Sequence, residues 1–294
     1  MPTTKANGIE VCFDTFGDPT DPTLLLVNGL GTQLIAQEPD YCEGFVALGL
    51  HVVRYDNRDV GLSTHIDAPV GDVMGAFATA MSGGEVQAAY TLGDMAADGM
   101  ALLDALDVDS AHILGSSMGG MIVQTMAIEY PDRVRSLTSV MSTTGEPEYG
   151  TPDPDCLAGL STAMVPAPTR EDRIEGGVQL QKLIGTKAEW DEGRVRSRAT
   201  ASVDRAYDPD GVARQMTAIL ASGSRAEGLA ELSVPTMVLH GDADPLVNIS
   251  GGKRTAELVP GAEFRPLAGM GHDMPPAYWP LVFDAVRTVT AGAA

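Results

Sequence analysis

Ala111-His112-Ile113-Leu114-Gly115-Ser116-Ser117-Met118-Gly119-Gly120-Met121 places a GxSxG pattern between a short apolar run and a segment with helical spacing. A serine presented on a sharp turn from a buried strand into a helix is the context of a nucleophile elbow. Small residues belong there because the turn is strained and its neighbours pack closely. The five-residue pattern alone arises readily by chance, so its position after a strand carries the reading.

A serine hydroxyl is a weak nucleophile at neutral pH. Ser117 therefore needs a base to remove its proton and a third group to orient that base. In an elbow of this kind the acid and then the base follow downstream. Val238-Leu239-His240-Gly241-Asp242-Ala243-Asp244-Pro245 ends a late apolar run with two carboxylates, and Gly269-Met270-Gly271-His272-Asp273 lies beyond it. His51 and His112 belong to strands, His65 to an early loop and His240 to a strand end, which leaves His272 best placed as base. Spacing does not separate Asp242 from Asp244, and either can be a turn carboxylate that caps its own backbone. The oxyanion of an acyl intermediate needs two preset donors. The candidates are the N–H of Met118, after the nucleophile, and that of Leu30 in Val27-Asn28-Gly29-Leu30-Gly31.

Outward from the elbow, Leu24–Val27, Val52–Tyr55, Ile113–Leu114, Leu137–Met141 and Met237–Leu239 are short apolar runs, the mark of strands buried on both faces of a parallel sheet. Ile9, Val11 and Phe13 alternate with polar neighbours as a half-exposed strand does. Leu92, Met95, Gly99, Leu102, Leu103 and Leu106 recur at threes and fours after Thr91 and Asp94, which open a helix as a capping box. Helices are also expected after Gly119, near Gly251 to Val259 and after Pro276. This alternation predicts an α/β fold with one mostly parallel sheet flanked by helices. Residues 145 to 230 interrupt it, opening with Pro147, Pro152, Pro154, Pro166 and Pro168 before turning helical. They are read as an inserted helical cap on a core of residues 1–144 and 231–294.

The 294 residues carry 40 acidic and 19 basic side chains, a net charge of −21 that repels phosphate backbones and anionic lipid. Nucleic acid and membrane partners are not expected. Three cysteines, Cys12, Cys42 and Cys156, stand too far apart for a zinc motif or a disulfide framework. No P-loop lysine and no GxGxxG after a strand is present, so no cofactor is predicted. The first residues lack a signal-like apolar run, which predicts a cytoplasmic protein. Of the fourteen methionines, Met118, Met121, Met126, Met270 and Met274 lie near the proposed loops and are read as core filling. Asp56-Asn57-Arg58-Asp59 with Ser63 is read as a loop-tying group behind the site. A monomer or small homo-oligomer is expected.

On Gly17-Asp18-Pro19, Leu24–Val27, Val53-Arg54-Tyr55-Asp56-Asn57-Arg58-Asp59, Gly115–Gly119 and Gly269–His272, the chain resembles the α/β-hydrolase superfamily along nearly its whole length. Within it, the chain is similar to bacterial aclacinomycin methylesterase-like hydrolases. The resemblance implies Ser117 as nucleophile, His272 as base and Asp244, which precedes Pro245, over Asp242 as the acid. It implies a helical cap after the sixth core strand and an ester substrate, with a polyketide methyl ester as one member. Asn28-Gly29 stands where many superfamily members have His-Gly. Serine at the elbow disfavours the alkyl-enzyme chemistry of the aspartate-bearing relatives. The expected reaction is hydrolysis of a small to medium apolar carboxylic ester through an acyl-enzyme. Cofactor-free perhydrolysis by the same three residues, and a non-catalytic binding role on the same fold, are the alternatives.

Overall fold

The computed structural model describes residues 1–156 and 166–293. Its sheet runs in the order β1 (Thr3–Ala6), β2 (Ile9–Phe16), β4 (His51–Tyr55), β3 (Thr23–Val27), β5 (Ala111–Ser116), β6 (Val134–Val140), β7 (Thr236–Gly241) and β8 (Glu263–Leu267). β1 and β2 pair antiparallel with each other, and β2 pairs antiparallel with β4. From β4 to β8 every pairing is parallel.

The inner parallel strands are rich in buried apolar residues because both of their faces are covered. Leu25, Val27, Val53, Tyr55 and Ile113 point to one core with α3 (Leu92–Ala105) and α4 (Met118–Glu129). Their neighbours Leu24, Leu26, Val52 and Leu114 point to another with α1 (Pro39–Val46) and α10 (Trp279–Ala291). The two-residue period of a strand divides a continuous apolar run between the two cores. Met118, Met121, Met126 and Met270 are all buried within them.

α3 begins as its sequence predicts. The Thr91 hydroxyl accepts from Asp94 N, and the Asp94 carboxylate accepts from Thr91 N at 2.7 Å. Of the elements not anticipated, β1 and β8 lie at the sheet edges, and α2 (Val73–Met81) buries none of its residues. Between β6 and β7 the chain supplies α5 (Arg170–Ile184), α6 (Glu192–Arg205), α7 (Pro209–Ser222), α8 (Ala226–Ala230) and, among the described residues, no strand. The remaining helix, α9 (Ser250–Leu258), follows β7. Of the predicted cap, residues 157–165 lie outside the described residues. No helix among those described is long and apolar enough to cross a membrane.

Polar groups buried behind the sheet's carboxyl end tie its loops together. Asp56 accepts from Leu34 N at 2.7 Å and Leu62 N at 3.0 Å and pairs with Arg205 of α6. Arg58 grips Asp98 of α3 through two nitrogens, and Arg214 of α7 grips Asp59 likewise. Ser63 donates to Asp56 O at 2.6 Å and accepts from Cys12 N at 2.9 Å. Planar guanidinium–carboxylate pairs of this kind add orientation as well as energy.

Candidate active site

Ser117, Leu30, Asp244 and His272 all follow the carboxyl ends of parallel strands: β5, β3, β7 and β8 respectively. In open α/β sheets that edge is where ligands bind. β3 and β5 are hydrogen-bonded neighbours, as are β7 and β8, so four loops distant in sequence converge.

Ser117 sits at φ 58° and ψ −123°, a conformation that a non-glycine residue adopts only when its surroundings impose it. Ser117 N donates to Val140 O at 2.9 Å, and Ser117 O accepts from the Ser142 hydroxyl at 2.9 Å. The flanking glycines allow this turn. A Cβ on Gly115 would fall on the Gly119 carbonyl, and one on Gly119 would fall on the carbonyls of Val27 and Asn28. These are backbone obstacles that no rotamer relieves. Gly119→Ala is therefore expected to cost roughly 1–3 kcal/mol of stability by overpacking. The measurement is the urea midpoint at constant slope; an unchanged midpoint would refute this close approach.

The side chains of Ser117, His272 and Asp244 form one hydrogen-bonded row. His272 Nε2 lies 2.9 Å from Ser117 Oγ, and His272 Nδ1 lies 2.7 Å from Asp244 Oδ2. An ionised carboxylate only accepts, so the proton on the neutral ring belongs on Nδ1. Nε2 is then left bare to receive a proton from Ser117. Asp244 is buried, and its other oxygen accepts from Leu246 N and Val247 N, both at 2.9 Å. Burial pushes the Asp244 carboxyl up. Electrostatic attraction from the adjacent His272, its hydrogen bond, and the Val247 N–H outweigh it and hold the group well below the usual carboxylate range.

Asp242, two residues earlier, is exposed and accepts from Gly269 N at 2.6 Å. The structure thus brings Asp244, and not Asp242, to the histidine. His240, read from sequence only as a strand end, is buried beneath Asp244. Its Nε2 donates to Val247 O at 2.7 Å and lies 3.6 Å from Asp244 Oδ2, bracing the turn that holds Asp244. No spacing rule points to that role.

Met118 is the first residue of α4, where an N–H has no partner within the helix. Gly29 lies against Ser117, where an added Cβ would stand 3.1 Å from Ser117 Cβ, so Leu30 follows directly beside it. The loop is braced from behind. Asn57 donates to Asn28 O at 3.0 Å, and Gln215 of α7 accepts from Gly31 N at 2.9 Å. Gln215 itself donates to Arg58 O at 2.7 Å. These ties place the Asp56–Asp59 segment in support of the loop.

Among the described residues, Asp59, His65 and Asp208 form the one group of potential metal ligands close enough to share an ion. Asp59 is already taken by Arg214 and Tyr90, and Asp208 by His65 and the Gly211 N–H. Two clefts of about 410 and 430 Å³ lie between the loop from Leu30 to Ala36 and α5 and α6, with Gly31, Gln33, Gly177 and Ser202 lining both.

A family model described as the alpha/beta hydrolase fold matches residues 22–275. The chain is 28% identical to rhodomycin D methylesterase DnrP of Streptomyces peucetius over 94% of its own length and 93% of that protein's. To the putative carbamate hydrolase RutD of Serratia proteamaculans (strain 568) it is 27% identical, over 87% and 86% of the two chains. Among solved structures, the enol-lactonase of Burkholderia xenovorans LB400 superposes with a TM-score of 0.76 at 21% identity, covering 99% of this chain and 100% of that one. A meta-cleavage product hydrolase of Pseudomonas fluorescens IP01 gives 0.78 at 17% identity, covering 100% and 98%. With sheet order, elbow geometry and family model in agreement, the chain belongs to the α/β-hydrolase fold family and is an enzyme of the hydrolase class.

Proposed function

We propose that this chain is a cofactor-independent serine hydrolase of carboxylic esters, acting through an acyl-enzyme. The observation that carries the reading is the row Asp244–His272–Ser117, with both contacts at hydrogen-bond length and the required tautomer set by a buried carboxylate. Ser117 Oγ attacks the ester carbonyl as His272 Nε2 takes its proton. The Met118 and Leu30 N–H groups receive the oxyanion, and His272 returns the proton to the departing alcohol. Water, deprotonated by the same nitrogen, then adds to the acyl-enzyme and releases the acid.

The substrate class is a small to medium apolar ester. The relative named as rhodomycin D methylesterase supports a methyl ester of a polyketide-like compound. Residues 145–230 serve as the cap over the site, with residues 1–144 and 231–294 as the core; the cleft that Leu30 lines borders the oxyanion loop and is where the substrate enters.

The direct test is hydrolysis of p-nitrophenyl acetate, butyrate and octanoate, with mass spectrometry of the protein after treatment with a fluorophosphonate. Turnover with a single adduct on Ser117 is expected, and the preferred chain length measures the acyl pocket. A protein that neither turns over an ester nor takes the adduct would overturn this reading in favour of a binding role.

A further inference from the structure

The loop that carries His272 is fastened on three successive residues to the end of α5, about 87 residues away in sequence. His272 N donates to Ile184 O at 2.7 Å. Ile184 closes α5, and its carbonyl is one of those a helix terminus leaves without an internal partner. Gly271 N donates to the Thr186 hydroxyl at 3.0 Å. That hydroxyl donates in turn to Asp273 Oδ1 at 2.6 Å, the same oxygen that accepts from Thr186 N at 2.9 Å. Asp273 Oδ2 accepts from Gln181 Nε2 at 3.0 Å.

Space as well as hydrogen bonding holds this junction. A Cβ on Gly271 would stand 2.6 Å from both Ile184 O and Gly185 C, so the two backbones touch. Thr186 is buried with its hydroxyl used in both directions. Asp273 makes no hydrogen bond to Ser117, yet through Thr186 the residues on both sides of His272, Gly271 and Asp273, are held to the end of α5.

We propose that Asp273 and Thr186 are positioning residues for His272. Their clasp fixes the histidine loop to α5 and keeps the imidazole in line between Asp244 and Ser117. The inference rests on the serine-hydrolase reading above. It assigns the C-terminal end of α5 to placement of the base, in addition to any part in forming the substrate cleft. A misplacement of about 1 Å at a reacting group can cost roughly a hundredfold in rate. Loss of the clasp should therefore appear in kcat while KM stays close to wild type.

The test compares wild type, Asp273→Ala, Asp273→Asn and Thr186→Val. It reads kcat and KM on p-nitrophenyl butyrate, the rate of Ser117 phosphonylation by a fluorophosphonate, and the thermal midpoint. Asp273→Ala and Thr186→Val are expected to lose on the order of 10²-fold in kcat, with phosphonylation slowed in parallel. Asp273→Asn should recover most of the loss. Its carbonyl still accepts from Thr186, and the Gln181 amide can turn its oxygen toward the new N–H group. Wild-type kcat in a folded Asp273→Ala protein would overturn the proposal, as would a loss confined to KM or an Asp273→Asn protein as impaired as Asp273→Ala. If wild type labels at Ser117 but hydrolyses no ester, the ester reading fails, and the phosphonylation rates still judge the clasp. No labelling in wild type would overturn both.

Discussion

Ser117→Ala is expected to lower kcat on p-nitrophenyl butyrate about a million-fold, as loss of the corresponding nucleophile does in subtilisin, with residual catalysis of roughly 10³ to 10⁴ over water. That factor corresponds to about 8 kcal/mol of transition-state stabilisation. The size follows from the row of contacts. His272 Nε2 has Ser117 Oγ as its hydrogen-bond partner at 2.9 Å, so removing the hydroxyl leaves the base nothing to activate but water. Folding should survive, because Ser117 is only half-buried and the smaller alanine fits where serine was. Adding His272→Ala to Ser117→Ala should cost little more, since the two act as one unit. Initial rates with carefully separated preparations provide the measurement. Hydrolysis within tenfold of wild type by the folded Ser117→Ala protein would remove the acyl-enzyme from the mechanism.

Asp244→Asn is expected to lower kcat about 10⁴-fold while the protein remains folded. The reason lies in how Asp244 divides its oxygens. Oδ1 accepts from two backbone N–H groups, at Leu246 and Val247, which require an acceptor. An asparagine must keep its carbonyl there, and its amide N–H₂ is forced toward His272 Nδ1. A donor facing Nδ1 selects the opposite tautomer and puts the ring proton on Nε2, where it blocks transfer from Ser117. The fold keeps its turn while the chemistry loses its base. Asp242→Asn supplies the contrast: Asp242 is exposed and touches Gly269 N, not the imidazole, so kcat should stay near wild type. Equal losses in the two variants, or none in Asp244→Asn, would reassign the acid.

Much of this fold is legible in the chain because burial on both faces writes itself as uninterrupted apolar runs. Leu24–Val27 is such a run and Val52–Tyr55 is broken only by Arg54, and each became an inner strand paired in parallel with the other. The edges lack that signature. β8 reads Glu-Phe-Arg-Pro-Leu and pairs on one side only, so charge and Pro266 are tolerated there and no apolar run marks it. α2 escaped for a related reason: it buries no residue, so no alternation of buried and exposed positions reports it.

The site divides in the same way. By itself the sequence determined that a GxSxG turn joins a buried strand to a helix, and that the loop ending Gly271-His272 and a pair of carboxylates follow in order. These are local features, set by side-chain period, turn chemistry and the absence of a Cβ. Local spacing left Asp242 and Asp244 open and only resemblance favoured Asp244; the tertiary structure showed that Asp244 and not Asp242 meets His272, that His240 braces Asp244 from below, and that Gln215 and Thr186 reach the loops of Leu30 and His272 from the helices between β6 and β7. The choice between two aspartates in one turn depends on which oxygen the folded sheet carries within 2.7 Å of an imidazole 28 residues away. A hydrogen bond falls off within a fraction of an ångström and an angle of tens of degrees, so partners this distant in sequence are selected by packing alone.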